Sequence, residues 1–171
     1  MALTSDIGSG SIDGTFQNFV AENAIPKYNG NVALSDFDLQ FLLKNDSLRT
    51  VSLNLAFMGE GIEPTTMTTS TKGTVTQAYF NGYTYNNIKL NAGTAQNKAT
   101  FAVESTDNNL NGSLKGSADL STEYPVVKAS GNFNKIDLQA LKLYNEPLAI
   151  LGEINADIVS SNPNSPIGNI S

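Results

Sequence analysis

L-N-G-S-L-K-G-S-A-D-L-S, residues 110–121, alternates apolar or small residues with polar ones without a break. Leu110, Gly112, Leu114, Gly116, Ala118 and Leu120 fall on one face of an extended chain; Asn111, Ser113, Lys115, Ser117, Asp119 and Ser121 fall on the other. A period of two marks a half-buried strand, because successive side chains of a strand point to opposite faces. Residues 148–159 repeat the pattern, with Leu148, Ile150, Gly152, Ile154, Ala156 and Ile158 inward and Glu153, Asn155 and Asp157 outward, although Ala149 and Leu151 blur the polar face. Val51, Leu53, Leu55 and Phe57 make a third stripe against Ser52, Asn54 and Ala56.

Further strands are expected over residues 73–80, 83–90, 99–104 and 126–133, the third of these carrying Phe101 and Val103. Asn81-Gly82 joins the first two as a hairpin, since a two-residue type I′ turn needs positive φ at both positions. Tyr83 and Tyr85 share one face while Ile88 and Leu90 share the other, which predicts a bulge at Asn86-Asn87. Asp107-Asn108-Asn109 reads as another corner. Two short helices are expected, over residues 36–44 and 137–144. Both contain D-L-Q (Asp38-Leu39-Gln40 and Asp137-Leu138-Gln139), follow a Gly-Asn pair and precede a long alternating strand, which suggests an internal repeat.

Composition agrees with an all-β chain. Charged residues make up 15%, and Asn, Thr, Ser and Gly are abundant around 6 Tyr and 8 Phe. At 171 residues one domain is expected, residues 1–160, followed by a loop or linker over 161–171 rich in Asn and Pro. The 10 basic residues against 16 acidic ones give a net charge of −6, so nucleic acid, which rewards clustered positive charge, is not an expected partner. The longest apolar runs are far shorter than the roughly 18 residues of a spanning helix. The first residues lack the basic and apolar regions of a signal peptide, so an exported form is expected to be a segment of a longer protein.

Enzymatic chemistry finds little footing. The chain has no His and no Cys, which removes the commonest general base, metal ligand and thiol nucleophile. Carboxylate pairs such as Glu60 with Glu63 or Asp119 with Glu123 read as surface charge. Asp107-Asn108-Asn109-Leu110-Asn111-Gly112 opens like a calcium loop, but the position that needs a bidentate Glu is Ala118, so a β-turn accounts for it better. Gly8-Ser9-Gly10 and Gly59-Glu60-Gly61 lack the strand-to-helix context of a phosphate cradle. The chain is therefore expected not to be an enzyme and to need no metal or organic cofactor.

Residues 112–168 resemble the repeating units of the TamB family, the translocation and assembly module proteins related to AsmA. The carrying elements are Gly-Ser-Ala-Asp-Leu (residues 116–120), Gly-Asn-Phe-Asn-Lys-Ile-Asp-Leu-Gln-Ala-Leu (131–141) and Glu-Pro-Leu-Ala-Ile-Leu-Gly-Glu-Ile-Asn-Ala-Asp (146–157). The resemblance implies a periplasmic segment of a protein anchored in the inner membrane, whose sheet curls into an open trough with a hydrophobic interior. It implies service to outer-membrane biogenesis in a Gram-negative envelope, with an outer-membrane assembly protein meeting other regions of the parent chain.

The expected fold is thus a twisted antiparallel sheet curled into a trough or partly closed barrel; periodicity alone equally allows a two-sheet sandwich. The expected function is a hydrophobic groove conducting phospholipid or another acyl-chain ligand. Its candidate lining is Val51, Leu53, Leu55, Phe57, Phe101, Val103, Leu110, Leu114, Leu120, Leu148, Ile150, Ile154 and Ile158. The alternatives are a module that receives strands of outer-membrane proteins by β-augmentation and a ligand-free structural or adhesive domain.

Overall fold

The structure is a computed structural model and describes residues 2–20, 24–63, 65–162, 164–165 and 167–171, with residues 2 and 3 by main chain alone. Eleven strands run in chain order: β1 (Ala2–Ser5), β2 (Gly8–Gln17), β3 (Lys27–Asp38), β4 (Leu48–Glu60), β5 (Thr68–Phe80), β6 (Tyr83–Ala95), β7 (Lys98–Thr106), β8 (Leu110–Asp119), β9 (Val126–Asp137), β10 (Ala149–Ser160) and β11 (Ile167–Ile170). Every strand pairs antiparallel with its chain neighbour, and β1 and β11 are the two edges of one open sheet. It is not closed into a barrel, and among the described residues no second sheet lies against it.

Local chemistry explains the turns. Asn81 and Gly82 carry φ of 48° and 86°, the left-handed pair that a two-residue hairpin requires. Gln96 and Asn97, at 49° and 65°, make the β6–β7 turn in the same way. One short helix, α1 (Leu39–Leu43), lies between β3 and β4; the Asp38 side chain caps it by accepting from Phe41 N, and Lys44 ends it in the left-handed conformation. It is shorter than the expected 36–44 because Asp36 stays in the strand.

The second expected helix, over 137–144, does not form. Asp137 still caps, accepting from Ala140 N at 3.0 Å. Leu143 N and Tyr144 N then both reach back to Leu138 O, at 2.9 and 3.1 Å, and Lys142 turns left-handed. These bonds close a loop where a helix would need a ladder from each residue to the fourth before it. In the expected linker, Ile167–Ile170 pairs with β10 as β11. Pro163 and Pro166 of that stretch lie outside the described residues.

At the end of the sheet that carries α1, the ladder shifts register between Leu34 and Phe37, between Ser52 and Leu53, between Asn111 and Gly112, and between Ile150 and Gly152. Asp36 and Asn87 adopt φ of 49° and 53° along the same line, and Gly152 adopts 126°. Each extra residue re-aims the strand, so Leu34 and Phe37, or Phe133 and Ile136, stay on one face although three positions apart. The left-handed Asn87 returns Tyr85 to the side of Ile88; the β5–β6 register itself does not shift at the expected bulge at Asn86-Asn87.

The internal repeat is a structural one. Adding 99 to the pairs Val32 with Leu55, Leu34 with Leu53 and Phe37 with Val51 gives Gly131 with Ile154, Phe133 with Gly152 and Ile136 with Ile150, all of them pairs in the sheet. Gly59 with Thr69 likewise becomes Ile158 with Gly168. Strands β3 to β5 and β9 to β11 are therefore one unit used twice, six strands apart.

Little of this sheet is a conventional core. Among the described residues, the buried apolar side chains are Val51 and Leu141. A compact monomer of 18.2 kDa exposes about 8,100 Å² by surface scaling, whereas this chain exposes 11160 Å². The excess, about 3,000 Å², is surface that a second layer would cover in a sandwich.

Candidate functional site

The apolar face is built row by row from the ladder. Ile12, Val32, Leu55, Gly73, Leu90, Val103, Leu114, Gly131 and Ile154 are successive cross-strand partners from β2 to β10. Paired residues share a face, so these nine make one continuous band without a charged or amide side chain. At 4.7–4.9 Å between strands the band runs roughly 38 Å. The parallel row through Gly30, Phe57, Thr71, Ala92, Phe101, Gly116, Ala129 and Ala156 is equally free of charge.

Glycines in these rows receive the rings of their neighbours. A Cβ at Gly59 would lie 2.6 Å from Tyr28 Cζ, and one at Gly116 would lie 2.5 Å from Phe101 Cζ. One at Gly131 would lie 2.7 Å from Phe133 Cε2. Each aromatic side chain therefore lies flat over a cross-strand or near glycine, and large residues do not stand up as ridges. At the end away from α1, Phe16 contacts Phe57 and Phe19 with ring centroids 6.3 and 6.0 Å apart, and Phe19 lies 6.2 Å from Tyr28.

Of the expected lining residues, Val51, Leu53, Leu55, Phe57, Phe101, Val103, Leu110, Leu114, Ile150, Ile154 and Ile158 lie on strands and share this face through their partners. Leu120 lies beyond the end of β8 and Leu148 before the start of β10; both are exposed. Sequence reasoning missed the contributions of β2 and β3, Ile12, Val32 and Leu34, because glycines and asparagines interrupt the alternation there. Their signal is the pairing of Gly14 with Gly30, two glycines opposite each other.

The opposite face is polar. Asp13, Asn31, Lys72, Asn91, Lys115 and Asn155 alternate with the apolar band along its strands. Lys128 and Asp157 are direct cross-strand partners and meet at 3.3 Å, and Lys27 meets Glu60 at 3.3 Å. Such exposed pairs set register more than stability. A cleft of about 700 Å³ is on this side, between Asn31, Asn54, Lys72, Lys89 and Asn91. It is a furrow between long polar side chains, made where Ala33 and Ala56 are short.

One polar cluster lies at the α1 end. Asp107, 2% exposed, accepts from Tyr83 Oη at 2.5 Å, Asn86 N at 2.9 Å, Asn86 Nδ2 at 3.2 Å and Asn109 N at 2.8 Å. β6 and β7 stop pairing at Ile88 with Ser105, so the carboxylate takes up amides that the ladder leaves. Burial alone would raise the Asp107 pKa, but the hydrogen bonds from Tyr83, Asn109 and Asn86 together hold it below the ordinary carboxylate range. Burial, reinforced by the neighbouring Asp107 charge, pushes Tyr83 and Tyr85 up. This carboxylate has its acceptor sites filled by protein donors, as suits a corner and not a calcium ligand. Among the described residues, no three acidic side chains gather where they could hold a metal.

Of the other carboxylates considered for chemistry, Glu60 meets Lys27 and Asp119 accepts from Ser121. No described helix is long and apolar enough to cross a membrane. No protein-family model, curated protein or solved structure matches this chain, and none of these comparisons identifies a TamB family.

Proposed function

We propose that the apolar face is a bed for acyl chains and that the protein is a non-enzymatic segment of a lipid conduit. The observation that carries this reading is the uninterrupted nine-residue band from Ile12 to Ile154 on a sheet with no second layer. A closed domain buries such a band beneath its own chain. Here the aliphatic side chains remain partly exposed along the row, and some apolar partner must be preferred to water.

Acyl chains fit the chemistry of the row. Each CH₂ taken from water contributes about 0.8 kcal/mol, so a two-chain lipid gains many kcal/mol from a band of this length. Val, Leu, Ile and Gly along the band offer contact without direction, and no one position holds a chain much better than the next. Uniform contact allows sliding across the strands. Phospholipid head groups would remain in water at the open margin, where net negative charge and scattered lysines give little selectivity among them. The resemblance of residues 112–168 to TamB repeats supports a periplasmic setting between inner and outer membranes.

The test is a native mass spectrum of the protein after incubation with phosphatidylethanolamine and phosphatidylglycerol vesicles. The reading expects lipid adducts of both kinds in similar proportion. Absence of adducts, or one tightly stoichiometric head group alone, contradicts it.

A further inference from the structure

We infer that the α1 crossover is the seat of a further β-hairpin, built like β5–β6, that extends the sheet from the free edge of β1. The argument comes from the two copies of the repeat, and it is independent of what the apolar face binds.

Asp38 and Asp137 are equivalent at the offset of 99, and each caps the turn that follows it, through Phe41 N at 3.2 Å and Ala140 N at 3.0 Å. Leu42 and Leu141 are then equivalent, yet their environments are opposite: Leu141 is 1% exposed and Leu42 is 58% exposed. Phe41 and Leu43, beside Leu42, are 69% and 58% exposed. Three large apolar side chains thus stand in water on this five-residue helix, whereas Leu141 of the second copy is covered.

The second copy meets the β5–β6 turn at the residue beside Leu141. Lys142, next to Leu141, accepts at its main-chain oxygen from Asn81 Nδ2 at 3.4 Å, and a Cβ on Gly82 would lie 3.6 Å from Lys142 Cγ. The Asn81-Gly82 turn therefore sits against the β9–β10 crossover. It belongs to the hairpin whose second strand, β6, precedes β9 by three places in the sheet. Counting three places back from β3 passes β2 and β1 and reaches a position just outside β1. A hairpin added there pairs with β1 and brings its turn to α1, continuing one period upstream the contact that the second copy makes within the chain.

The chemistry of the partner follows. It is two antiparallel strands of alternating small-apolar and polar residues, joined by a two-residue turn with both positions left-handed, as Asn-Gly provides. Its inner strand supplies main-chain donors and acceptors to the edge of β1, and its turn covers Leu42. An unpaired edge next to exposed apolar residues is the combination that natural sheets protect when no partner is meant to bind.

The experiment uses a fluorescent synthetic peptide with the sequence of residues 68–95, added to the intact protein. Fluorescence anisotropy reads affinity, and hydrogen exchange reads the place of binding. The inference expects saturable one-to-one binding, with new protection at residues 2–5 and 39–44. Leu42→Asp should weaken binding roughly tenfold or more while far-UV circular dichroism stays unchanged, because Leu42 is exposed in the free protein. Leu151→Asp, at another exposed leucine, should bind as the parent does. No saturable binding, protection confined to β11, or equal affinity of Leu42→Asp would each overturn the proposal. Acyl-chain binding by Leu42→Asp should match the parent, which separates this outcome from that of the lipid reading.

Discussion

Replacing Asp107 by Ala removes the acceptor for three half-buried groups at once: the Tyr83 hydroxyl, Asn86 N and Asn109 N. The Asn86 side chain loses a partner as well. An orphaned buried donor costs about 1–3 kcal/mol; the Tyr83 hydroxyl still accepts from Asn109 Nδ2 at 3.2 Å but loses the acceptor for its own proton. Because these donors are half-buried, the loss falls toward the lower part of that range, about 2–3 kcal/mol in all, a sizeable share of the roughly 5–15 kcal/mol that holds a domain together. Asp107→Asn keeps one acceptor oxygen, so it should recover about half of that loss. Urea unfolding followed by tyrosine fluorescence measures both variants, and the midpoints should rank parent, Asn, Ala. Because the Asp107 pKa is lowered in the folded state, its contribution is complete above the unfolded carboxylate value and is lost as pH falls through the folded one. The parent should therefore weaken more steeply than Asp107→Asn as pH drops below about 3.9. An Asp107→Ala midpoint equal to the parent's, or an Asn variant no better than Ala, would refute this account of the corner.

Other expectations follow from single interactions. Gly59→Val drives a side chain into the Tyr28 ring and should cost about 1–3 kcal/mol, visible as a lower urea midpoint, with the cross-peaks between the Phe19 and Tyr28 rings disappearing from NMR spectra. Gly82→Val forces a branched residue to φ of 86° and should destabilise by roughly 1–2 kcal/mol, measured by thermal unfolding. Lys128→Ala breaks an exposed cross-strand pair, and its melting temperature should fall by no more than about 2 °C. Thermal melts with and without a chelator should coincide, since the Asp107 carboxylate already has protein donors at its oxygens.

The sequence made the strands legible where alternation was clean. Residues 110–121 and 148–159 gave β8 and β10 to within a residue or two, and Asn81-Gly82 gave the β5–β6 turn. Asn86-Asn87 marked the left-handed residue of β6 because the two halves of that strand disagree about which face is apolar. β2 was hidden, because Gly8-Ser9-Gly10-Ser11 carries no apolar stripe and its place is fixed by pairing with β1 and β3. The helix expected over 137–144 had the same Asp cap and D-L-Q wording as α1. What separates the two is tertiary, the hydrogen bond of Lys142 with a turn 61 residues earlier, which no local pattern records. The apolar stripes were visible one strand at a time; that they align into a band across nine strands depends on register, which the bulges set.

Charge placed on the two faces of β8 tests the central claim most directly. Leu114→Asp sits in the band and Lys115→Asp sits on the polar side of the same strand. On an open sheet the Leu114→Asp carboxylate can reach water, so the variant should fold, with the parent's circular dichroism, and should bind a fluorescent fatty-acyl probe at least about tenfold more weakly. Lys115→Asp should fold and bind as the parent does. A Leu114→Asp protein that fails to fold while Lys115→Asp folds would show the band to be a closed core, and one that folds and binds the probe normally would show that acyl chains do not lie on it.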